Sequence, residues 1–260
     1  MSAPRILVVN DDGYQSPGIV TVARALSRLG EVTVVAPNDD RTGAAHSISA
    51  YDPVRIVEVP NDGVRMYACS GTPADCAVIG ILDLVGARPD LLVSGINRGP
   101  NLGDDVNYSG TVAAAVEGTW IGIPSIAVSL AASWPMHATV HYWETAVDAA
   151  IDTAREVLRD GLPSGTLLNV NVPNVASEEL HGVRWTRLGR KIYRDRLDSR
   201  SDPRGGRYYW FRWEAFDTEE LEPGTDFAAI RETAVSITPL SIQRTDAGML
   251  SCRQPLATSP

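Results

Sequence analysis

The sequence predicts an α/β fold: a Rossmann-like, doubly wound and mostly parallel sheet with a β-rich C-terminal appendage. Short apolar runs alternate with segments of helical periodicity, which is typical of such sheets. The composition then shifts towards Arg, Trp and Tyr after about residue 175. We therefore expect a Rossmann-like core over residues 1–175. Residues 176–260 should form a β-hairpin appendage and a C-terminal arm that partly returns to the core sheet.

The N-terminal segment has the pattern of a βαβ unit. Arg5–Val9 is a short, mostly apolar run, and Ser16-Pro17 has the pattern of a helix N-cap followed by proline at the first helical position. Gly30 ends the helical spacing, and EVTVVAP at 31–37 predicts a second strand. Parallel strands of this kind lie buried between helices.

The remaining elements continue the alternation. A turn-forming stretch at 60–63 separates two β-prone runs and predicts a hairpin. In the appendage, YYWFRW at 208–213 predicts a hairpin strand, and SITPL at 236–240 predicts a return to the sheet. The other patterns predict helices over 72–85, from Ser109 or Gly110, and over 139–158, with strands over 90–95, 124–130 and 167–173.

Composition and charge limit the partners of this chain. The formal net charge of -9 would repel a phosphate backbone, so we expect no nucleic-acid polymer and no anionic membrane surface as a partner. The sequence has no apolar run of about 18 residues that could span a bilayer, and no pattern of a signal peptide. Cys69, Cys76 and Cys252 lack the spacing of a zinc site or a disulfide framework. This favours a cytoplasmic protein.

Polar, glycine-bearing loops follow three of the predicted strands, at Asn10–Gly13, 37–47 and 96–111. In doubly wound sheets, ligands bind beyond the carboxyl ends of the strands, where such loops meet. The side chains offered there carry carboxylate, hydroxyl and carboxamide oxygens. These are the donors that Mg²⁺ or Mn²⁺ prefers.

The adjacent carboxylates of Asp11 and Asp12 come directly behind a buried strand. A buried, unpaired charge is costly, so a bound cation is the first interpretation; a solvated turn is the alternative. Gly13 permits the turn that would bring both side chains to one ion, since they alternate faces along a regular strand. The backbone N–H groups at 108–111 begin a predicted helix and could hold a phosphate. The combination indicates metal-assisted hydrolysis of a phosphate ester.

Seven motifs, in order and reaching to about Leu240, resemble the SurE family of 5′/3′-nucleotidases, also called stationary-phase survival proteins. A single motif would be weak evidence, whereas seven in order are strong. They are VNDDGYQSPGI, RTG, GTPADC, PDLLVSGINRGPNLGDDVNYSGTVAAAVEG, GIPSIAVSL, LNVNVP and VSITPL.

The resemblance implies a metal-dependent phosphatase that hydrolyses nucleoside 5′-monophosphates, and also 3′-monophosphates, with one Mg²⁺ or Mn²⁺ per subunit. The family's metal ligands fall on Asp11, Asp12, Thr42 and Asn97. Position 42 is usually serine in the family, and the extra methyl group of threonine restricts its rotamers. Metal affinity or preference is the property that this change would affect.

The same resemblance places the phosphate pocket at Asn101, Ser109, Gly110 and Thr111. It also implies assembly into a homodimer or homotetramer through the projecting C-terminal region. Thr233-Ala234 stands where the family often has Gly-Tyr, so the C-terminal arm matches less well. The residues predicted to act in catalysis are Asp11, Asp12, Asn101 and Ser109.

Several of these residues have simpler structural interpretations. Thr42 and Asn97 could stabilise turns, and Ser109 could be a helix N-cap, which is compatible with phosphate binding. The pair at 104–105 could be a second metal site, but a structural role is preferred. Packing or surface roles are preferred for the remaining candidates: His137 and His141 at helical i, i+4 spacing, His46, which could also shape the pocket, and the aromatic residues Tyr208, Tyr209, Trp210, Phe211 and Trp213, interpreted as core or subunit interface.

Two other functions remain open from the sequence. A haloacid-dehalogenase-type phosphatase would need a second aspartate two residues after the first, where this chain has Gly13. A non-catalytic nucleotide-binding or scaffolding protein could use the same sheet, and the threonine at position 42 keeps that alternative. The glycine pattern does not match a dinucleotide-binding fingerprint, which argues against a dehydrogenase.

Overall fold

The computed structural model describes residues 3–61, 63–132, 140–190, 196–212 and 222–251. Within these ranges, nine strands form one sheet and two form a separate antiparallel pair. The strands are β1 (Arg5–Val9), β2 (Glu31–Pro37), β3 (Ile56–Val59), β4 (Arg65–Cys69), β5 (Leu91–Arg98), β6 (Ser125–Ala131), β7 (Thr166–Pro173), β8 (Val183–Trp185), β9 (Arg196–Ser201), β10 (Arg207–Arg212) and β11 (Val235–Ser241). The helices are α1 (Pro17–Leu26), α2 (Pro73–Ile79), α3 (Gly110–Trp120), α4 (Trp143–Asp160), α5 (Asp226–Arg231) and α6 (Ala247–Ser251).

The large sheet has the strand order β3-β4-β2-β1-β5-β6-β7-β11-β8. The strands from β4 to β7 run parallel, β3 pairs antiparallel with β4, and β11 pairs antiparallel with β7. The sheet is therefore mostly parallel, and the predicted fold class is confirmed. The predicted hairpin is β3–β4, and the predicted return of SITPL to the sheet is β11.

Helices cover both faces of the sheet, because successive side chains of the central strands point to opposite sides. Ile6 and Val8 pack with α1 and α4, whereas Leu7 and Val9 pack with α2 and α3. All four side chains are fully buried. Each such burial contributes about 1.5–3 kcal/mol to folding. Because β1 and β5 are paired parallel strands, their carboxyl ends lie together at one edge of the sheet.

Two predicted boundaries are wrong, and the first of them, the end of β5, affects the site. β5 continues to Arg98, three residues beyond the predicted end at Gly95. Its pairing with β6 shifts register between Ser94 and Asn97, so the strand continues past an irregularity that the sequence did not reveal. Helix α4 begins only at Trp143. Just before it, the Asn174 side chain accepts a hydrogen bond from the Tyr142 N–H and donates one to the Val140 carbonyl, and these bonds replace helical ones there.

Helix α2 also ends earlier than predicted, at Ile79. The chain continues through a π-helical turn over Gly80–Leu84. A Cβ atom on Gly80 would lie 2.7 Å from Leu7 Cδ1, so glycine lets this turn pack closely on the sheet. Across the described ranges, no helix combines the length and apolar character needed to cross a bilayer.

The region after residue 175 contributes to both sheets. β9 and β10 form the predicted hairpin, whose residues Tyr208, Tyr209 and Trp210 are exposed and so do not belong to the core of the chain. β8 pairs with β11 at the edge of the large sheet, which was not predicted. The division into units 1–175 and 176–260 stays a prediction. Trp213, His137 and Cys252 lie outside the described residues.

Candidate metal and phosphate site

The turn after β1 releases two aspartates from the strand. Asn10 is fully buried, and its Nδ2 donates a hydrogen bond to the Gly13 carbonyl at 2.9 Å, which closes the turn. Gly13 has a φ of 95°, a conformation that favours glycine. Asp11 and Asp12 therefore do not follow the face alternation of a regular strand.

Asp11 faces the N-terminus of α3. Its side chain is buried, and Oδ1 accepts a hydrogen bond from Thr111 Oγ1 at 2.6 Å. A Cβ atom on Gly110 would lie 2.9 Å from Asp11 Cβ and 3.0 Å from Oδ2. Glycine at position 110 thus lets the helix N-terminus approach the carboxylate closely. The hydroxyl of Thr111, predicted to bind phosphate, bonds to Asp11 here.

Asp12 faces the end of β5. Its Oδ2 accepts a hydrogen bond from the backbone N–H of Arg98 at 2.9 Å. The preceding residue, Asn97, is buried, and its Nδ2 donates to the Gly99 carbonyl at 2.9 Å. This bond uses the amide nitrogen of Asn97 and leaves its side-chain oxygen as an acceptor. The structure therefore connects Asp12 directly to the strand end that carries Asn97.

The loop after β2 joins the same edge. The backbone carbonyl of Asp11 accepts a hydrogen bond from the Arg41 N–H at 2.7 Å. Thr42 is exposed, and its hydroxyl donates to Asp40 Oδ1 at 2.6 Å, as its backbone N–H does at 2.8 Å. The turn is therefore closed by the Asp40 carboxylate, and the Thr42 hydroxyl bonds to that side chain rather than to the backbone. The oxygen of the hydroxyl still carries acceptor lone pairs.

The negative charge of the two aspartates is compensated only in part within the protein, by the positive charge of Arg98 near Asp12. Burial raises the pKa of Asp11, and burial followed by the charge of Asp11 raises the pKa of Asp12 to about 6. The charge of Asp40 raises both pKa values further. None of the ion pairs among the described residues includes Asp11 or Asp12. Sequence reasoning did not single out Asp40, although the run Asp39-Asp40 lies next to Thr42.

This donor set fits a hard divalent cation. Asp11, Asp12, Asn97 and Thr42 offer only oxygen atoms, and a cation would compensate the buried negative charge. Within the described part of the chain, no group of three or more His, Cys, Asp or Glu side chains is arranged to hold a metal ion. An ion bound by the two aspartates would therefore also need neutral oxygens, such as those of Asn97 and Thr42.

The predicted phosphate-binding residues lie at two places. Ser109 caps α3, with its Oγ accepting from the Val112 N–H at 3.0 Å, so the N-cap interpretation is confirmed. Asn101 is buried, and its Nδ2 donates to Ser129 Oγ at 2.7 Å. One hydrogen of this amide nitrogen is therefore used inside the protein, and the second is left for another acceptor.

The other candidates have packing roles. His46 Nε2 lies 2.6 Å from Glu117 Oε1, and its ring stacks on Trp120 with ring centroids 4.8 Å apart. His141 stacks on Trp143 with centroids 5.4 Å apart. The pair at 104–105 belongs to a 3₁₀ turn over Gly103–Asn107, in agreement with the preferred structural role.

The chain is similar to proteins of one known family. A family model described as "Survival protein SurE" matches residues 6–195. The chain belongs to the SurE family. The resemblance drawn from the seven motifs is therefore confirmed, and the turn with Asp11 and Asp12 lies within the matched residues.

Relatives and a solved structure support this SurE assignment over nearly the whole chain. The protein named "5'-nucleotidase SurE" of Pelobacter propionicus is 49% identical over 93% of this chain and 94% of its own length. The protein of the same name from Geobacter sulfurreducens is 45% identical over 96% of this chain and 92% of its own length. The crystal structure of the SurE protein from Aquifex aeolicus has a TM-score of 0.83 and 40% identity, covering 95% of this chain and 97% of that one.

Proposed function

We propose that this SurE-family chain is a metal-dependent 5′-nucleotidase that hydrolyses nucleoside monophosphates to nucleoside and orthophosphate, with 3′-monophosphates as further substrates. The observation that carries the proposal is the pair of buried or partly buried carboxylates at Asp11 and Asp12. Neither forms an ion pair among the described residues, and Asp11 lies at the N-terminus of helix α3. The two relatives described above, at 45–49% identity, are named as 5′-nucleotidases, which supports the same activity.

The metal would be one Mg²⁺ or Mn²⁺ per subunit, held by Asp11, Asp12, Thr42 and Asn97. When bound, such an ion supplies positive charge that polarises a phosphoryl oxygen and lowers the pKa of water. The protein prepares its side of the site without the ion, because the Thr111 hydroxyl and the Arg98 N–H already fix the two carboxylates.

The phosphate would bind where the chain offers hydrogen-bond donors. The first backbone N–H groups of a helix have no partner within the helix and attract anions. Ser109, Gly110 and Thr111 provide this terminus on α3. The second hydrogen of Asn101 Nδ2 provides a donor from the loop after β5. In the hydrolysis, a water oxygen bonds to phosphorus, the ester bond breaks, and the nucleoside oxygen takes up a proton from that water. These donors would hold the phosphoryl oxygens in place during the reaction.

The competing phosphatase class is disfavoured by the turn itself. A haloacid-dehalogenase-type enzyme would need an aspartate at position 13, whereas Gly13 occupies it with a φ of 95° and would be strained as aspartate. A non-catalytic nucleotide-binding protein is separated from the proposed enzyme by the experiment below.

The test is phosphate release from a panel of nucleoside 5′- and 3′-monophosphates by the purified, metal-stripped chain, with and without added Mg²⁺ or Mn²⁺. We expect release only after metal is restored, and none from the Asp11→Asn variant with an unchanged circular dichroism spectrum. Nucleotide binding by the folded chain without release in any condition would refute the enzyme and support the non-catalytic alternative.

We also propose that the protein acts in the cytoplasm as a homodimer or homotetramer. Cys69 and Cys76 are buried free thiols, which fits a reducing compartment. Trp185 and Trp210 are 60% and 63% exposed in the single chain, and such side chains are enriched at protein interfaces. Light scattering after size exclusion should give a mass of two or four chains, and a monomer at micromolar concentration would contradict the assembly.

A further inference from the structure

The loop after β5 is attached to β7 through a paired amide contact. Asn171 Oδ1 accepts a hydrogen bond from the Asn101 backbone N–H at 2.8 Å, and Asn171 Nδ2 donates to the Asn101 carbonyl at 3.1 Å. Asn171 is fully buried. The Asn171 carboxamide supplies both the donor and the acceptor that this pair uses, whereas alanine supplies neither.

Two more side chains complete the hold on Asn101. Asn169 Nδ2 donates to the same Asn101 carbonyl at 2.8 Å, and Ser129 Oγ accepts from Asn101 Nδ2 at 2.7 Å. Both supporting side chains are fully buried. The backbone N–H, the backbone carbonyl and the side-chain amide of Asn101 therefore each have a fixed partner in the sheet.

The supporting residues occupy a polar strip in an otherwise apolar strand. Leu168, Val170 and Val172 point into the core on one side of β7, and the alternating Asn169 and Asn171 point to the other. A polar residue buried at such positions is costly without partners, and here the loop after β5 supplies them for both ends of the Asn171 amide and for Asn169 Nδ2. The sequence signal is the run Asn-Val-Asn inside a buried parallel strand.

A second anchor lies two residues along the loop. Asp226 Oδ2 accepts a hydrogen bond from the Gly103 N–H at 2.7 Å, and its Oδ1 accepts from the Gly189 N–H at 2.8 Å. Asp226 is fully buried at the start of α5. The segment from Asn101 to Gly103 is thus held at both ends by side chains from the C-terminal part of the chain.

We infer that Asn171 is a positioning residue that fixes Asn101 for phosphate binding; this inference rests on the proposed function. The free hydrogen of Asn101 Nδ2 points in a direction set by the backbone pair with Asn171 and by the bond to Ser129. Displacing a binding group by about 1 Å can cost on the order of 100-fold in rate. The carboxylates of Asp11 and Asp12 bond to Thr111 and to the Arg98 N–H rather than to Asn171, so metal binding should not depend on Asn171.

The experiment compares Asn171→Ala with Asn174→Ala in the full chain. Asn174 is a matched control, because it also bridges a backbone N–H and a carbonyl, those of Tyr142 and Val140, at 3.0 and 3.1 Å. For each variant we would measure kcat, KM, the inhibition constant of inorganic phosphate and the dissociation constant of Mn²⁺. We expect Asn171→Ala to raise KM and the phosphate inhibition constant by about tenfold or more while the Mn²⁺ constant changes less than about twofold. Asn174→Ala should leave all four unchanged.

A purely structural role would give a different result. Loss of folded protein lowers kcat per mole of chain but leaves KM and the phosphate inhibition constant at their wild-type values, and this outcome would overturn the inference. If Asn171→Ala does not fold, Ser129→Ala tests the same hold on Asn101 and should raise both constants by about threefold. Absence of wild-type turnover would refute the proposed function instead. The inhibition arm is then replaced by direct calorimetric binding of inorganic phosphate, in which an unchanged affinity of the variant counts against the positioning role.

Discussion

Asp11 and Asp226 are both buried aspartates, but their surroundings differ. Asp226 accepts three backbone N–H bonds, from Gly103, Gly189 and Phe227 at 2.7–2.9 Å, and lies at a helix start. Asp11 accepts one side-chain hydroxyl and has Asp12 as its neighbour in sequence. Burial raises the pKa of both groups. Only the carboxylate of Asp226 is compensated by several backbone donors.

The difference supports a structural role for Asp226 and the metal-binding role that we propose for Asp11. A buried charge with sufficient donors stabilises the segments that supply them. A buried charge without such partners is a cost that persists only if something outside the chain offsets it. We therefore propose that the carboxylates around Asp11 bind a cation, whereas the carboxylate of Asp226 has its partners within the chain.

The largest expected effects come from replacing Asp11 and, in a separate variant, Asp226 with asparagine. Asp11→Asn should reduce turnover by about 100-fold or more, because it removes a charge from the metal site. Its metal-free form should be as stable as the wild type or more stable, since charge repulsion with Asp12 is relieved. Asp226→Asn should lower the free energy of unfolding by about 1–3 kcal/mol, because its amide nitrogen cannot accept the backbone N–H that bonds to the replaced carboxylate oxygen. Turnover assays and urea titrations of both metal-free variants measure this contrast.

Metal addition sharpens the same comparison. Mn²⁺ at about 100 times its dissociation constant should stabilise the wild type by about 2.7 kcal/mol. The ion should therefore raise the melting temperature of Asp226→Asn as it raises that of the wild type, and it should not raise the melting temperature of Asp11→Asn. A rise of equal size in Asp11→Asn would show that the ion binds elsewhere.

Gly110 tests how closely the helix must approach Asp11. In Gly110→Ala the new methyl group would meet Asp11 Cβ and Pro73 Cγ, each at 2.9 Å. We expect a loss of about 1–3 kcal/mol in stability and a weaker Mn²⁺ affinity by calorimetry, because the carboxylate has to shift. Gly248→Ala in α6 is the control, since its nearest contact is the Asp246 side chain at 3.3 Å, and alanine there should be neutral or slightly stabilising. Unchanged metal affinity in Gly110→Ala would indicate that the Asp11 position is not critical.

Thr111 tests the side-chain hydrogen bond that the Asp11 carboxylate accepts. Thr111→Val keeps the shape of the side chain but removes the 2.6 Å bond to Asp11 Oδ1. A hydrogen bond to a charged group is worth about 1.5–3 kcal/mol, so Mn²⁺ affinity or turnover should fall by about tenfold. Thr119→Val on the same helix removes a buried hydroxyl that bonds only to the Ala115 carbonyl at 2.9 Å. Equal effects of the two variants on metal affinity would contradict a specific role of Thr111.

The sequence predicted the parts of this contrast that are local. The apolar run before Asn10, the turn at Gly13 and the helix start at Ser109 follow from short patterns, and the structure has all three. The mostly parallel sheet follows from the alternation of strands and helices. The ligand roles of Asp11 and Asp12 came from the adjacent charges and from the family resemblance, and they stay predictions.

The parts that the sequence did not predict depend on long-range contacts. The bonds of Asp226 to Gly103 and of Asn171 to Asn101 join residues 123 and 70 positions apart. A local pattern assigns Asp226 to a helix start and Asn171 to the polar face of a strand, with no indication of their partners. The proximity of Asp40 to both aspartates likewise depends on how the loop after β2 folds over β1.

The smallest expected effect concerns Thr42, at the exposed margin of the Asp11 region. If its hydroxyl oxygen binds the ion, Thr42→Ser should change Mg²⁺ and Mn²⁺ affinities by less than about threefold, because only the rotamer restriction of the methyl group is lost. Thr42→Ala should weaken both by about tenfold, since a ligand is removed. Thr21→Ala, which removes a hydroxyl bonded to the Pro17 carbonyl on α1, is the control and should change neither affinity. If Thr42→Ala binds both ions as tightly as wild type, the threonine only stabilises its turn through Asp40. The ion would then be held by Asp11, Asp12 and Asn97 alone.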